Sequence, residues 1–518
     1  MIKIFLLYMF FLPVVTNAQP YYFNERYESN SNTWSALNAI IETEMGYLVG
    51  GSTGTPPNNS WHQINLIVLD KNGNKIYEKF IGDTISEYYV AISSLINSYD
   101  NRIVFTGTRH KYVPDFPHDE ALLIKLNNES DTLWSKYYGE KALPYDSAYD
   151  SRQLIETSDS NYIMVGIMTP KINYKDNLYL LKVDASGAFI WERFYGILNS
   201  TYKLRGFSVI ETPDKGFAMG AYRFKPGYTE TGEPMVYKVD SLGNEEWHIS
   251  IGSPIFDSKT LLCNAHDGNI MAAFCYADSM SGSDAYRTIN IQKIDLDGNV
   301  VWDKRYGPSD LYNRLSNIRQ TYDGGYIVAG DIFTGFLGYP NPWRSGWMLK
   351  LNSEGDSLWY RLYNNIYGGQ YDENYFYDVI PTTDNGFAAC GEVTGGSINY
   401  TQHAWAIKVD SMGCDTPGCA TGTSVVELSP SGGGRGEVLM VWPNPASREL
   451  YVKCWEFGVK GDKVISVFNI YGRKVKEIKV PDGIEMVNID VENWDRGLYF
   501  LRMTVDGKVK GGAKVVVQ

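Results

Sequence analysis

The sequence predicts an all-β chain: a seven-bladed propeller of four-stranded blades, then a small immunoglobulin-like β-sandwich. Three observations carry the prediction. Near-copies of Lys182 to Gly196, KVDASGAFIWERFYG, recur from Leu69 to Asn364, with Trp134, Trp191, Trp247, Trp302 and Trp359 at intervals of 57, 56, 55 and 57 residues and Tyr77 in the same place 57 residues earlier. A second anchor runs in phase with the first: Gly46-Tyr47 to Gly51, Asn161-Tyr162 to Gly166, Gly216-Phe217 to Gly220, Gly325-Tyr326 to Gly330 and Gly386-Phe387 to Gly391. Beyond residue 438 the pattern stops and short alternating strands begin. A fixed supersecondary unit with variable loops produces this drifting period, which marks a solenoid, a propeller or an array.

Each repeat holds four β-prone runs. One precedes the Gly-aromatic anchor (Leu315 to Thr321) and one contains it. A third is wholly apolar (Asn177 to Val183), and the fourth carries the Trp. The last two are joined by an Asp/Gly turn, where glycine supplies the positive φ a tight hairpin needs. Counting the anchor and its degenerate equivalents (Tyr47, Ile103, Tyr162, Phe217, Asn269, Tyr326, Phe387) gives seven copies. The seventh lacks its Trp run after Asp410, whereas Tyr21 to Tyr27 resembles such a run ahead of the first copy. A ring closed by letting this N-terminal strand complete the last blade removes the open edges of a linear array. An open solenoid leaves that permutation unexplained.

At the N-terminus, Lys3, the apolar run Ile4 to Val15 and Thr16-Asn17-Ala18 read as a secretory signal peptide over residues 1–18, cleaved between Ala18 and Gln19. The run is too short to cross a bilayer, and no later segment is long and apolar enough for a transmembrane segment. Net charge is −13, which argues against a nucleic-acid partner. The charge is uneven: Val438 to Gln518 holds 13 Lys and Arg against 10 Asp and Glu, a shift expected at a domain boundary. The propeller is therefore placed at 19–413, a cysteine loop and Gly/Ser/Pro linker at 414–437, and the sandwich at 438–518. Among six cysteines, Cys414 and Cys419 flank a Pro-Gly turn and form the candidate disulfide, with two free thiols as the alternative. Cys263, Cys275 and Cys390 read as small core residues.

One large aromatic per blade is most simply packing between neighbouring sheets. Asp184, Gly187 and Trp191 also resemble the docking signature of quinone-binding propeller dehydrogenases, but the Asp to Gly gap is one residue shorter and no two cysteines are adjacent. No cofactor is expected. Asp295-Leu-Asp297-Gly-Asn299 occupies a hairpin turn and needs no metal.

The turns within each blade are short on one rim. On the other, the connections His110 to His118, Tyr222 to Pro234, Asp331 to Ser345 and Gly395 to His403 are long and aromatic. Varied loops on a rigid frame are where binding resides. Tyr112, Phe116, Phe224, Tyr228, Phe336, Tyr339, Trp343 and Tyr400 are the ligand-rim candidates, able to stack on a sugar or pack a protein, or alternatively to fold down over their own blades. His62, His110, His118 and His403 fall in neighbouring blades with Asp115 and Asp119, but without tight metal-ligand spacing. No nucleophile elbow, phosphate loop or zinc-protease helix is present. A binding module is thus favoured over a hydrolase or a quinone-type oxidoreductase working at the same rim. Which side chains of the first strands, around Ala39, Ser93, Leu154, Val209, Leu262, Ile318 and Val379, line the central channel decides between the two. An apolar channel would favour binding, whereas two or three clustered carboxylates would favour the enzyme.

The last 81 residues carry a specific resemblance. Trp442-Pro443-Asn444-Pro445 with Leu450 and Val452, Val467 to Gly472-Arg473, Gly497-Leu-Tyr499 and a closing Lys514-Val-Val516 resemble the type A C-terminal sorting domain of type IX (Por) secretion cargo in the Bacteroidota. The resemblance implies export through the periplasm, recognition by the outer-membrane translocon and removal by a sortase-like peptidase. Release or attachment to the outer surface would follow. Cys454-Trp455 interrupts the pattern after its first strand, and the closing segment has one Lys rather than a basic pair.

Overall fold

The structure is a computed structural model. It describes residues 21–28, 34–54, 62–83, 85–111, 118–139, 147–170, 174–196, 202–224, 232–252, 257–281, 284–307, 311–333, 344–366, 372–395, 401–416, 427–428, 440–442, 448–453, 462–469, 473–481, 486–495, 497–506 and 508–517. The expected signal peptide, its cleavage site Ala18–Gln19 and most of the linker lie outside these residues.

Every described regular element is a strand. After β1 (Phe23–Tyr27) come repeated four-stranded antiparallel units. They are β2–β5 (Ser35–Thr43, Gly46–Gly54, His62–Asp70, Lys75–Ile81), β6–β9 (Ser86–Asn97, Ile103–Lys111, His118–Leu126, Thr132–Tyr138) and β10–β13 (Ser147–Glu156, Tyr162–Pro170, Asn177–Val183, Phe189–Tyr195). Next are β14–β17 (Lys203–Glu211, Phe217–Phe224, Gly232–Val239, Glu245–Ser250), β18–β21 (Leu261–Asn264, Ile270–Ser281, Asp284–Ile294, Val300–Tyr306) and β22–β25 (Tyr312–Gln320, Tyr326–Phe333, Arg344–Leu351, Ser357–Tyr363). Three strands, β26–β28 (Glu373–Pro381, Phe387–Thr394, His403–Val409), end the series, and β1 completes their sheet by pairing antiparallel with β28 from Phe23↔Lys408 to Tyr27↔Ala404. The first strands β2, β6, β10, β14, β18, β22 and β26 neighbour one another in chain order, and β26 neighbours β2. This is the architecture of a β-propeller.

Two kinds of staple recur between neighbouring sheets. A Cβ placed on Gly187, Gly243, Gly298, Gly355 or Gly413, each in a hairpin turn with positive φ, would meet the ring of Trp134, Trp191, Trp247, Trp302 or Trp359 from the preceding sheet at 2.6–3.3 Å. Each Trp therefore lies flat over the next sheet's turn, which only glycine leaves bare. The tyrosine four residues beyond the Trp donates to the same glycine's carbonyl: Tyr138 to Gly187 (2.7 Å), Tyr195 to Gly243 (2.8 Å), Tyr306 to Gly355 (2.5 Å) and Tyr363 to Gly413 (2.8 Å). Tyr27 of β1 makes the same bond to Gly73 (2.8 Å), joining the last sheet to the first. The periodic tryptophans are thus packing residues. Asp184 caps its own turn, accepting from the amides of Ser186 and Ala188 (2.8 and 2.9 Å), and Asp295 does likewise for Asp297 and Asn299. In the fifth copy the turn bond from Ala265 N to Asn269 O places Ile270, not Asn269, at the anchor, because it matches the bond from Thr212 N to Gly216 O that precedes Phe217.

Six sheets also share a charge pair between a buried lysine and a turn aspartate, half-exposed in five of them and buried at Asp384, that no sequence pattern marks. Lys125, Lys182, Lys238, Lys293, Lys350 and Lys408 on the third strands pair with Asp100, Asp159, Asp214, Asp267, Asp323 and Asp384 in the turns after the first strands, at 2.5–2.9 Å. At Asp159 burial works to raise the pKa, but hydrogen bonds from Lys182, Thr157 and Asn161 outweigh it and hold the carboxyl at about 2.

Beyond β29 (Glu427–Leu428), paired with β21, the C-terminal segment forms two sheets. One runs β30 (Met440–Trp442), β31 (Glu449–Lys453), β34 (Met486–Asp490). The other runs β33 (Lys474–Val480), β32 (Lys463–Asn469), β35 (Gly497–Val505), β36 (Lys508–Val517). Leu450, Val452, Ile489 and Val491 from the first meet Ile465, Val467, Leu501, Met503 and Val515 from the second in one core. Cys263, Cys275 and Cys390 are buried free thiols. Cys414 is disulfide-bonded, and its expected partner Cys419 lies outside the described residues.

Candidate functional site: the axial cavity

The first strands do not run straight past the axis. The ladder slips between Leu37 and Ala39, Ser151 and Gln153, Gly206 and Ser208, Leu315 and Asn317, and Phe376 and Asp378, so each of these strands carries a bulge at the same height. A bulge adds one unpaired residue and re-aims its side chain. The second anchor glycines make room for it. A Cβ on Gly51, Gly166, Gly330 or Gly391 would lie 1.7, 2.1, 1.9 or 1.8 Å from the carbonyl oxygen of Ala36, Asp150, Arg314 or Tyr375.

Four of the bulged residues, Asn38, Arg152, Phe207 and Ser316, line a cavity of about 440 Å3 with Glu87, Tyr89, Thr108, His110, Asp119, Asp150, Lys259 and others. Of the first-strand positions around which the channel is expected, Ser93 lines it. Ala39, Leu154, Val209, Leu262, Ile318 and Val379 are themselves buried between sheets, and of their neighbours Asn38, Gln153, Leu261 and Asn317 line the cavity. In the bulged strands one extra residue decides which side chain faces the cavity, since it flips those that follow it to the other face.

The cavity is a cup. In β6 the slip is longer, from Val90 to Leu95, and the extra residues Ala91 to Ser93 line the cavity wall. Ser93, at φ 56°, donates its hydroxyl to Asp378 of β26 (2.8 Å), while its carbonyl accepts from Arg319 of β22 (3.5 Å); neither strand neighbours β6 in the ring order. Asp378 is fully buried and also accepts from Asn317 (2.6 Å), Val379 N (2.9 Å) and, on its other oxygen, Ile40 N (3.1 Å). This node ties first strands together across the axis.

Its walls are polar and mostly self-satisfied. Glu87 accepts from the Tyr89 hydroxyl (2.7 Å) and lies 3.9 Å from His62, whose pKa burial lowers against the pull of Glu87. Asp119 pairs with His110. Burial pushes its carboxyl above the ordinary value despite that partner, and Asp150 adds to the rise. Asp150 accepts from Thr108 (3.0 Å) and pairs with Arg152. Three carboxylates thus line the cup. Phe207, also in the lining, has two cations near its ring, Arg152 at 5.7 Å and Lys259 at 5.6 Å. The Lys259 ammonium has no ion-pair or hydrogen-bond partner among the described residues, and burial, with the charges of Arg152 and Arg314, pushes its pKa down to about 8.

Of the rim candidates, only Phe224 is among the described residues. It stacks on Tyr222 (5.8 Å, 28°) under Arg205 (4.7 Å) at the end of β15, holding down its own sheet. Tyr112, Phe116, Tyr228, Phe336, Tyr339, Trp343 and Tyr400 lie outside. Among the described residues no group of three or more His, Cys, Asp or Glu could hold a metal ion, and no helix is long and apolar enough to cross a membrane. The residues that shape the cup, Arg152, Phe207 and Lys259, had no signal in the sequence except the Gly that faces each bulge.

Residues 440–518 match the family model described as a secretion system C-terminal sorting domain. The chain carries a type IX sorting domain at its C-terminal end. That domain indicates export, to the medium or to the cell surface, and implies interaction with the type IX secretion machinery. Of its motif residues, Gly497 opens β35 at positive φ (149°), and the Tyr499 hydroxyl returns to the carbonyl of Asp495 (2.7 Å) beside Trp494. Lys514 pairs with Phe500 in the ladder, while Pro443, Asn444, Pro445 and Gly472 are outside the described residues. No curated protein matches the chain. Solved structures similar to it include a protein of unknown function from Dyadobacter fermentans (11% identity, 74% of this chain and 97% of that one, TM-score 0.43). Others are the β-propeller domain of the Trilobed protease from Pyrococcus furiosus (10%, 74% and 98%, 0.40) and an α-L-arabinanase from Penicillium chrysogenum (10%, 61% and 92%, 0.41). At these TM-scores the likenesses carry no functional weight.

Proposed function

We propose that the chain is exported cargo whose seven-bladed propeller binds a saccharide in the axial cup. Residues 1–18 direct passage across the inner membrane. The sorting domain, an immunoglobulin-like sandwich, is read by the translocon and removed by a sortase-like peptidase. Cys414 pairs with Cys419 beside the linker. The seven-blade count is supported by the pairing of β1 with β28 and by the Tyr27 to Gly73 bond that ties the last sheet to the first. Binding is supported chiefly by one observation, a cup of about 440 Å3 closed across the axis by the Ser93–Asp378 contact, with an aromatic ring and polar groups in its walls. That volume suits a small ligand rather than a protein surface. Calorimetric titration of the full chain with an oligosaccharide panel tests the reading. One site is expected, abolished by Ala91→Trp, which fills the cup. Binding that survives this change places the ligand elsewhere.

A second reading rests on the carboxylates. Burial raises the pKa of Asp119, and Asp150 lines the same cup, so two carboxylates of the kind glycoside hydrolysis uses as acid and base share one cavity. Reducing-sugar release by the wild-type chain, lost in Asp119→Asn, would establish it. Binding without release would leave the cup a recognition site.

A further inference from the structure

The charges of the cup are unevenly satisfied. Glu87 has Tyr89, Asp119 has His110, and Asp150 has Thr108 and Arg152. Lys259 alone among the charged lining residues has no ion-pair or hydrogen-bond partner within the described residues, although it is partly buried and an unmet cation in such a place is costly. The Nε of Arg152 is also buried without an acceptor. Both cations flank the same ring, Phe207, so one unpartnered ammonium, one guanidinium shared with Asp150 and one aromatic side chain lie together in the lining. An aromatic face takes the apolar side of a pyranose ring, and converging cations take an anion fixed to that ring.

We propose that the cup recognises a saccharide bearing a carboxylate, a uronic acid, with the carboxylate between Lys259 and Arg152 and the sugar ring against Phe207. The inference rests on the saccharide-binding reading above and narrows it to acidic sugars. It requires Lys259 to be protonated. The groups facing its ammonium are Arg152 and Arg314, which disfavour the charge, and Cys275 and Asp331, which favour it. The balance leaves Lys259 near 8, so a carboxylate ligand binds the charged form below that pH and loses about tenfold in affinity between pH 7 and pH 9.

The test is titration of the full chain with galacturonic acid trimer and with its neutral galactose counterpart, at pH 7 and pH 9. At pH 7 the acidic trimer is expected to bind at least tenfold more tightly. Lys259→Met should reduce it to the neutral level, Lys259→Arg should keep the preference at both pH values, and the neutral trimer should respond to neither pH nor substitution. Equal affinity for the two trimers, or an acidic preference untouched by Lys259→Met, overturns the inference and leaves the saccharide reading standing. Absence of binding by both trimers overturns the two together.

Discussion

Lys408 and Asp384 show at one position what six sheets repeat. The ammonium is inaccessible to solvent and lies 2.9 Å from a carboxylate, which also accepts from Thr382 and the amide of Gly386. Removing one partner leaves the other charge buried alone, and such losses cost roughly 3 kcal/mol. Asp384→Asn should therefore lower the urea midpoint of the propeller clearly at pH 7. The pH dependence has a definite sign. Burial acts to raise the Asp384 pKa, but Thr382 and Lys408 hold it below the ordinary 3.8, so its stabilisation is complete above that value and drains away as the pH falls below it. The gap between wild type and variant should thus narrow on going from pH 7 to pH 3, and a gap that stays constant would show the pair to be energetically silent. The same residue scale separates lysines with a structural task from Lys259, which is only partly buried and has no such partner among the described residues. No sequence pattern distinguishes them, because the Asp that satisfies each structural lysine comes from a turn more than twenty residues away.

At the scale of the strand, the second anchor glycine was visible in the sequence while its purpose was not. Periodicity located Gly51, Gly166, Gly220, Gly330 and Gly391. Only the paired backbone shows that four of these face a carbonyl pushed outward by a bulge in the neighbouring strand. Hydrophobic alternation cannot register a bulge, since a single extra residue looks like noise in a run of nine, and so the sequence places the channel near Ala39 or Leu154 without saying that Asn38 and Gln153 are the side chains that line it. The rim aromatics were chosen by loop length and composition, which locate variable connections but not the depth at which a cavity forms between strands. The glycine carries a testable cost. Gly391→Ala would put a methyl 1.8 Å from the Tyr375 oxygen, inside a backbone pair that has nowhere to retreat. The expected loss is about 1–3 kcal/mol, read as a lower urea midpoint. Gly324→Ala serves as the control, because its positive φ (80°) imposes strain while nothing lies within 4 Å. If the two variants lose equally, the space opposite the bulge is not what the anchor glycine protects.

At the scale of the whole molecule, the permuted repeat turned on one short run at the N-terminus. Tyr21 to Tyr27 read as a displaced copy of the Trp run, and in the structure Phe23 to Tyr27 lie along β28 through five register pairs. A propeller closed this way is held by strand pairing within its last sheet and by the staple from that sheet to the next. Loss of β1 removes both at once, because Tyr27 is also the donor to Gly73 and Phe23 covers that glycine at 2.5 Å from its would-be Cβ. The floor of the cup depends on the same closure. Asp378 belongs to the sheet β1 completes, and it is Asp378 that reaches Ile40 in the first sheet and Ser93 in the second. Tyr27→Phe, which deletes one bond and leaves the Gly73 carbonyl unpaired, should cost about 1–2 kcal/mol and leave ligand affinity nearly intact. Deleting residues 21–27 should do far more: hydrogen exchange should rise in β2 and β26 before the distant β14 and β15, and saccharide binding should vanish along with protection at Asp378. If the deletion leaves exchange in β2 and β26 unchanged, the ring is held by other contacts and β1 is an appendage to it.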